Sequence, residues 1–178
     1  VQSGKTANYT GLIAKAIDCG YKNIIILSGI HNNLRDQTQK RIETDLGGYS
    51  VDFPDLNIQY LTSKGDDDFD DNLNPSLFYS SNPKISIIKK QFIVLEKLLT
   101  WFLHIDEKIL RNHSTIIIDD EADNATIDVS VDELRNNTLE DEPFDDDPSK
   151  TNKLIKGIRN LFPKICYIGY TATPFANV

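Results

Sequence analysis

The chain has 178 residues, 39% of them hydrophobic, which is enough for one domain with an apolar core. No apolar run approaches the roughly 20 residues that cross a bilayer, and the start lacks the basic and apolar regions of a signal peptide, so the sequence argues against a membrane or secreted protein. Cys19 and Cys166 are isolated and lie in apolar contexts. They favour buried, reduced thiols in a cytoplasmic protein over a disulfide.

Two short acidic segments, residues 66–71 and 140–147, account for the net charge of −8. They hold 11 of the 27 acidic residues, which leaves 16 acidic residues against 19 basic ones elsewhere. The remainder therefore has neither the basic stripe of a strong DNA-binding protein nor a charge that forbids contact with DNA. Because the first segment lacks the spacing of a calcium loop, we expect flexible acidic insertions at about residues 63–75 and 125–149.

The chain opens on Ser3-Gly4-Lys5-Thr6, followed by apolar residues at helical spacing and by Gly20 where a C-terminal cap belongs. This tetrapeptide is the second half of the phosphate-binding loop G-x-x-x-x-G-K-[ST]. In such a loop, N–H groups at the helix start hold phosphate oxygens, the lysine reaches the outer phosphates and the hydroxyl can ligate Mg²⁺. The first glycine and its strand would lie upstream of the chain, so we expect a fragment truncated before its first strand.

A second unit follows, with a strand at Asn23–Ser28 and a helix that is expected to end near Thr44. The loop of such a unit faces the same crevice as the phosphate-binding loop. Asn32, Asn33 and Arg35 could therefore contact a nucleic-acid backbone, although either asparagine could equally cap the helix.

The later segments continue the alternation of strands and helices. Short apolar runs predict strands at residues 57–62, 85–90 and 164–169, and apolar stripes predict helices at 91–103 and 154–162. Lys89 and Lys90 end one of these strands near the crevice, where they could meet phosphate. This alternation predicts an α/β fold with a mostly parallel sheet.

The most informative stretch is the β-branched run 115–118, which ends in a cluster of acidic residues, Asp119, Asp120, Glu121 and Asp123. Such a run fits a buried strand of a parallel sheet, and ligands of open α/β sheets bind beyond the carboxyl ends of the strands. The cluster is therefore interpreted as a site for a metal ion and water. An ordinary acidic loop after a buried strand is the alternative.

Three motifs occur in the order found in motor-type nucleoside triphosphatases: Ser3-Gly4-Lys5-Thr6, Asp120-Glu121-Ala122-Asp123 and Thr171-Ala172-Thr173-Pro174. In this order they resemble the first three motifs of superfamily II helicases and translocases. The resemblance covers the whole chain, and it implies one domain, residues 1–178, with the three-layer α/β fold of a P-loop NTPase. That domain would be the first RecA-like domain of the motor.

A closer resemblance involves longer segments, among them residues 1–10, 29–34, 119–124 and 170–177. In these segments the chain is similar to the prokaryotic Z-one domain endonuclease family, in which a helicase-type ATPase is associated with restriction or defence systems. DNA cleavage is an implication of this resemblance alone. The nearest nuclease-like pattern, Pro54-Asp55 with Asp106-Glu107-Lys108, is more typical of surface charge.

The resemblance implies which residues bind the nucleotide. ATP would be bound by Ser3, Gly4, Lys5 and Thr6, and Mg²⁺ would be held by Thr6 and Asp120. Asp119 stands where an apolar residue is usual, so the sequence leaves open which of Asp119 and Asp120 faces the metal.

The resemblance also implies the catalytic and coupling residues. Glu121 would orient and deprotonate the attacking water, and Lys5 would be the second catalytic residue. Asp123 would couple the nucleotide site to Thr171 and Thr173 through hydrogen bonds.

The expected function is the ATP-binding half of a DNA-dependent ATPase that belongs to a restriction or defence endonuclease. Motors of this class hydrolyse ATP between two RecA-like domains, so the expected partners are DNA, a second such domain and a nuclease module or subunit. The alternative is a scaffold module of a nuclease complex that is gated by nucleotide and turns over little ATP.

Overall fold

The computed structural model describes residues 3–52, 57–63, 65, 68–120, 122 and 148–171, of which residues 3, 48–52, 148 and 149 are described by their backbone alone. These residues form five strands, five α-helices and a 3₁₀ helix. In chain order they are α1 (Ser3–Asp18), β1 (Asn23–Ser28), α2 (Asn32–Asp52), β2 (Gln59–Tyr60), the 3₁₀ helix (Pro75–Tyr79), β3 (Lys84–Lys89), α3 (Phe92–Leu103), α4 (Glu107–Asn112), β4 (Thr115–Asp120), α5 (Pro148–Leu161) and β5 (Ile165–Tyr170).

The strands form one parallel sheet in the order β2-β3-β1-β4-β5. Every residue of β1 is buried, as its isoleucine-rich sequence predicts for a strand covered on both faces. Helices α1 and α2 contribute to the apolar layer on one face, and α3 and α5 contribute to the layer on the other. The predicted α/β class and parallel sheet are therefore confirmed.

Two predicted elements differ in length from those observed. Helix α2 continues to Asp52 instead of ending near Thr44, because Ile42 and Leu46 recur at helical spacing and both enter the core. The strand predicted at 57–62 is shorter, since Gln59 and Tyr60 alone have strand geometry at this edge of the sheet.

The end of α1 confirms the predicted glycine cap. Gly20 has a φ of 89°, and its N–H donates to Ile17 while the N–H of Tyr21 donates to Ala16. This is the double hydrogen bond of a Schellman motif, which satisfies the last carbonyl groups of the helix. Because Cys19 lies at this surface turn, it is exposed, and its predicted burial is wrong. Cys19 and the half-buried Cys166 are both free thiols.

An aromatic cluster joins α3 to the segment that precedes β3. Trp101 packs edge-to-face against Phe69 and Phe78, and its indole N–H donates to the carbonyl of Leu73 at 2.7 Å. Phe69 lies within the acidic insertion that the sequence predicts to be flexible, yet it is 2% exposed. An aromatic residue among the aspartates thus anchors this segment to the core.

None of the helices within the described residues is both long enough and apolar enough to span a membrane.

Two leucines of α3 give a matched test of the core. Leu98 is fully buried and Leu103 is 63% exposed. Leu98→Ala should lower the free energy of unfolding by about 2–5 kcal/mol because it removes buried methyl groups and leaves a cavity, whereas Leu103→Ala should change it by less than about 0.5 kcal/mol. Urea unfolding followed by circular dichroism measures both, and equal losses would contradict this packing.

Lys84 begins β3 as a fully buried cation. Its Nζ donates hydrogen bonds of 2.6 Å to the carbonyl oxygens of Ser80 and Asn82 and lies 5.6 Å from the centre of the Phe78 ring. Burial, aided by the nearby charge of Lys22, lowers the pKa of Lys84 from 10.5 to about 8. The folded protein therefore releases this proton at a lower pH than the unfolded chain.

The contribution of Lys84 to stability should rise with pH. Between about pH 8 and about pH 10.5 the unfolded chain binds more protons at this position than the folded protein, and stability increases with pH wherever that is so. Urea unfolding of the wild type and of Lys84→Met, at about pH 7.5 and about pH 9.5, should show their free-energy difference moving in favour of the wild type at the higher pH. A difference that does not change with pH would contradict the lowered pKa.

Candidate functional site

The start of α1 and the end of β4 meet at the carboxyl edge of the sheet. Lys5 lies in the first turn of α1, and its Nζ is 3.2 Å from Oδ1 of Asp120, the last residue of β4. The two side chains are 22% and 17% exposed, so the ion pair is largely removed from water but still reachable. Two residues separated by more than a hundred positions are thus brought into contact by the parallel topology.

Tyr9 lies one turn further along α1 and faces the same carboxylate. Its hydroxyl is 3.4 Å from both Thr6 Oγ1 and Asp120 Oδ2, so the Thr6 hydroxyl and the Asp120 carboxylate lie close together. Burial, together with the negative charge of Asp120, raises the pKa of Tyr9 to about 12. Tyr9 therefore remains a neutral hydrogen-bond donor at physiological pH.

These residues have the chemistry of a site for a magnesium-bound phosphate. Asp120 Oδ1 is buried and accepts no hydrogen bond from the described residues, although Lys5 lies at ion-pair distance. A Cβ added at Gly4 would meet open space, which leaves room for an anion at the start of the helix. The described residues include no group of three or more side chains of His, Cys, Asp or Glu that could hold a metal by themselves, but Mg²⁺ bound with a nucleotide needs only one or two carboxylates.

The strand end directs its two aspartates to opposite faces of the sheet. Asp120 lies on the α1 side, whereas Asp119 is 1% exposed on the opposite side, where its Oδ1 is 2.6 Å from Lys90 Nζ. The hydroxyl of Tyr167 donates a hydrogen bond to Asp119 Oδ2, and burial and the Asp119 charge both raise the pKa of Tyr167. Of the two candidates, Asp120 is therefore the one beside Lys5 and Thr6.

Lys90 differs from its sequence interpretation. It was expected to meet phosphate at the crevice, but its side chain is 3% exposed and forms the ion pair with Asp119. Lys90 and Asp119 each follow an apolar run in the sequence. Neither run indicates that these two charges, about 30 residues apart, will be buried together.

Ala122, two residues beyond the end of β4, lies against β5. A Cβ added at Gly169 would lie 2.9 Å from the Cβ of Ala122, which is closer than real Cβ atoms approach. Gly169 also pairs with Asp119 in the sheet register. The absence of a side chain at Gly169 thus allows Ala122, two residues after Asp120, to approach β5.

The end of β5 contacts α1 directly. The ring centres of Tyr170 and Tyr9 are 5.5 Å apart in an edge-to-face arrangement, and the Tyr170 hydroxyl donates to Asn8 Oδ1 at 2.7 Å. Thr171 follows β5 at once and is half-buried. The structure therefore brings Lys5, Thr6 and Asp120 together and places Thr171 after a strand that touches the same helix, while Glu121, Asp123 and Thr173 lie outside the described residues.

The residues proposed for nucleic-acid contact fall into two groups. Asn32 and Asn33 are exposed at the start of α2, and Asn32 Oδ1 accepts a hydrogen bond of 2.6 Å from Lys89 Nζ. Arg35 is 1% exposed, and its guanidinium contacts the carbonyl of Ile87 and the side chains of Asp36 and Asp68. The prediction that Arg35 contacts nucleic acid is therefore wrong, because the cation is used inside the fold.

The partner of Arg35 comes from the predicted acidic insertion. Asp68 is 7% exposed, and its carboxylate lies 3.2 Å from Arg35 Nε and 3.4 Å from Lys89 Nζ. Burial raises the pKa of Asp68, although the charges of Arg35 and Lys89 act in the opposite direction. Asp68 is thus a buried structural residue, although it belongs to an acidic segment whose composition is typical of a solvent-exposed loop.

The chain matches no protein-family model, no curated protein and no solved structure.

Arg35 and Arg111 give a matched test of whether Arg35 has a structural role in the interior. Arg35→Met should lower the free energy of unfolding by about 3–5 kcal/mol because it removes the guanidinium that pairs with the buried Asp68 carboxylate and donates to the Ile87 carbonyl. Arg111 pairs with Glu107 on the exposed surface of α4, with 61% and 72% exposure, and Arg111→Met should cost less than about 1 kcal/mol. Urea unfolding of both variants distinguishes these roles, and a small loss for Arg35→Met would contradict its buried pairing.

Proposed function

We propose that this chain is the ATP-binding half of a DNA-dependent ATPase with a RecA-like P-loop fold. The observation that carries the proposal is the contact between Lys5 and Asp120, with the Thr6 hydroxyl beside the same carboxylate. A lysine and a hydroxyl at a helix start, facing an acidic strand end, are the groups that a magnesium nucleotide requires. The parallel sheet and its helices on both faces are compatible with this fold.

In this proposal α1 supplies the binding groups for phosphate. N–H groups of its first turn, at Ser3, Gly4 and Lys5, have no partners within the helix and carry the positive end of the helix dipole. The Lys5 ammonium would leave Asp120 and contact the outer phosphates, whose charge attracts it more strongly. When bound, Mg²⁺ would neutralise part of the phosphate charge, and Thr6 and Asp120 would hold it.

Hydrolysis itself would depend mainly on positioning and charge. Phosphoryl transfer is accelerated by aligning the attacking water and by stabilising charge on the phosphate oxygens. In the proposal Glu121 orients the water and accepts its proton, Lys5 stabilises the developing charge, and Asp123 with Thr171 and Thr173 links the site to motion. These last assignments follow the resemblance to superfamily II motors.

The proposed partners are DNA, a second RecA-like domain that completes the ATP site, and a nuclease module or subunit, as in the Z-one domain family that the sequence resembles. A cytoplasmic location, in keeping with two free thiols, belongs to the same proposal. Asn32, Asn33 and Lys89 form a polar group at the carboxyl edge, where DNA would pass near the nucleotide.

Two lysines of α1 give a matched test of the ATPase. Lys5→Ala in the complete protein should reduce ATP turnover about 100-fold, as expected when one stabilising donor is lost from a phosphoryl-transfer site. Lys15 is exposed in the last turn of the same helix, and Lys15→Ala should leave turnover unchanged. Phosphate release, measured with and without DNA, gives both values, and DNA should increase turnover by the wild type.

The outcomes separate the proposal from a nucleotide-gated scaffold. Turnover by the wild type that falls in Lys5→Ala and persists in Lys15→Ala supports the motor. ATP binding without turnover under either condition would favour the scaffold, and turnover unchanged by Lys5→Ala would refute the site.

A further inference from the structure

The buried pair of Lys90 and Asp119 lies directly behind the proposed nucleotide site, on the opposite face of β4. Lys90 Nζ is 2.6 Å from Asp119 Oδ1, and the side chains are 3% and 1% exposed. The Tyr167 hydroxyl donates to the second carboxylate oxygen, and the Arg159 guanidinium lies 5.0 Å from the centre of the Tyr167 ring. Asp119 is therefore held from two sides in the interior.

This pair ties together the ends of three strands. Strand β1 lies between β3 and β4, so an ion pair from Lys90 to Asp119 passes over the end of β1. The N–H of Lys90 donates to the carbonyl of Ser28 at 3.1 Å, and the Ser28 hydroxyl donates to the carbonyl of Ile88 at 3.0 Å. Hydrogen bonds of the backbone thus fix the position of Lys90 independently of its ion pair with Asp119.

A buried ion pair of this kind rarely adds stability over apolar side chains of similar size, because both charges lose their hydration. What such a pair can add is a unique arrangement, since a carboxylate in the interior tolerates few positions. Here the arrangement matters because two adjacent aspartates end one strand, and side chains alternate between faces with a period of two. A shift of this strand end by one residue would exchange the faces of its side chains and bring Asp119, instead of Asp120, to Lys5.

We propose that Lys90 is a positioning residue that holds Asp119 on the far face, so that Asp120 alone faces Lys5 and Thr6. This inference rests on the proposed ATPase function. Gly169 has a related role, because the space it leaves lets Ala122 approach β5 beside the end of β4. Neither Lys90 nor Gly169 touches the nucleotide, and both act through the position of the acidic strand end.

The experiment removes the cation and keeps Asp119 in place, using the variant Lys90→Met in the complete protein. Binding of ADP is measured by calorimetry with and without Mg²⁺. We expect affinity for ADP with Mg²⁺ to fall about tenfold or more, which is the usual effect of losing a residue that orients a metal ligand. Affinity for ADP without Mg²⁺ should stay within about twofold of the wild type, because Lys5 and α1 are unchanged.

Leu98→Ala is the control for a purely structural effect. Leu98 is buried in the apolar layer on the same face of the sheet, and its side chain carries no charge that could hold Asp119, so this variant should lose stability and keep the Mg²⁺ dependence of the wild type. Gly169→Ala is the second test variant, since its methyl group must displace Ala122, and it should weaken ADP binding with Mg²⁺ in the same selective way. Gly169→Ala carries the test if Lys90→Met does not fold.

The failure of this inference differs from the failure of the proposed function. If the wild type binds ADP with Mg²⁺ and both test variants bind it equally well, Lys90 is structural and the inference is overturned. If Leu98→Ala loses the Mg²⁺-dependent binding to the same degree, the effect is one of stability and the inference is again overturned. If the wild type itself binds no ADP with Mg²⁺, the proposed function fails.

Discussion

The structure depends on how the two aspartates at the end of the buried strand β4 are paired with cations. Strand β4 has neighbours on both sides and apolar layers on both faces, so a carboxylate at its end must find a cation or remain in contact with water. The two aspartates meet this requirement in different ways. Asp119 is neutralised inside the fold by Lys90, whereas Asp120 contacts Lys5 at the rim. The side chains of the first pair are 3% and 1% exposed, whereas those of the second are 22% and 17% exposed, so only the second of these two pairs lies within reach of solvent.

The order of the strands explains why these pairs can form. Because β1 lies in the middle, the ends of β3 and β4 are separated by one strand, and a lysine side chain can reach across it. Helix α1 covers the other face of the same strands, so its first turn meets the end of β4. Parallel topology therefore gathers residues from the start, the middle and the end of the chain at one edge of the sheet.

The sequence predicts most elements and the edge of the sheet at which Lys5 and the acidic strand end meet, because both follow local rules, but it leaves open which aspartate faces Lys5. Apolar runs such as 115–118 specify strands, and the first turn of α1 and the end of β4 must share an edge in a parallel sheet. The inner contacts follow no local rule. Arg35 at a helix start and Asp68 in an acidic run each resemble surface residues, and their burial depends on the approach of two distant segments. Phe69, a single aromatic residue among aspartates, is the one signal in the sequence that this segment is anchored.

Several cations have structural roles in the interior, although the chain has a net charge of −8. Lys84, Arg35 and Lys90 are all buried cations, and each lies at the start or the end of β3 or against its backbone. Strand β3 thus carries positive charge into the interior, where carbonyl groups or aspartates from neighbouring segments compensate it. Since these cations are committed to the fold, Lys5 is the cation that remains both anchored and accessible beside Asp120. Burial of Lys90 with Asp119 leaves Lys5 and Asp120 as the partly exposed pair at this edge of the sheet.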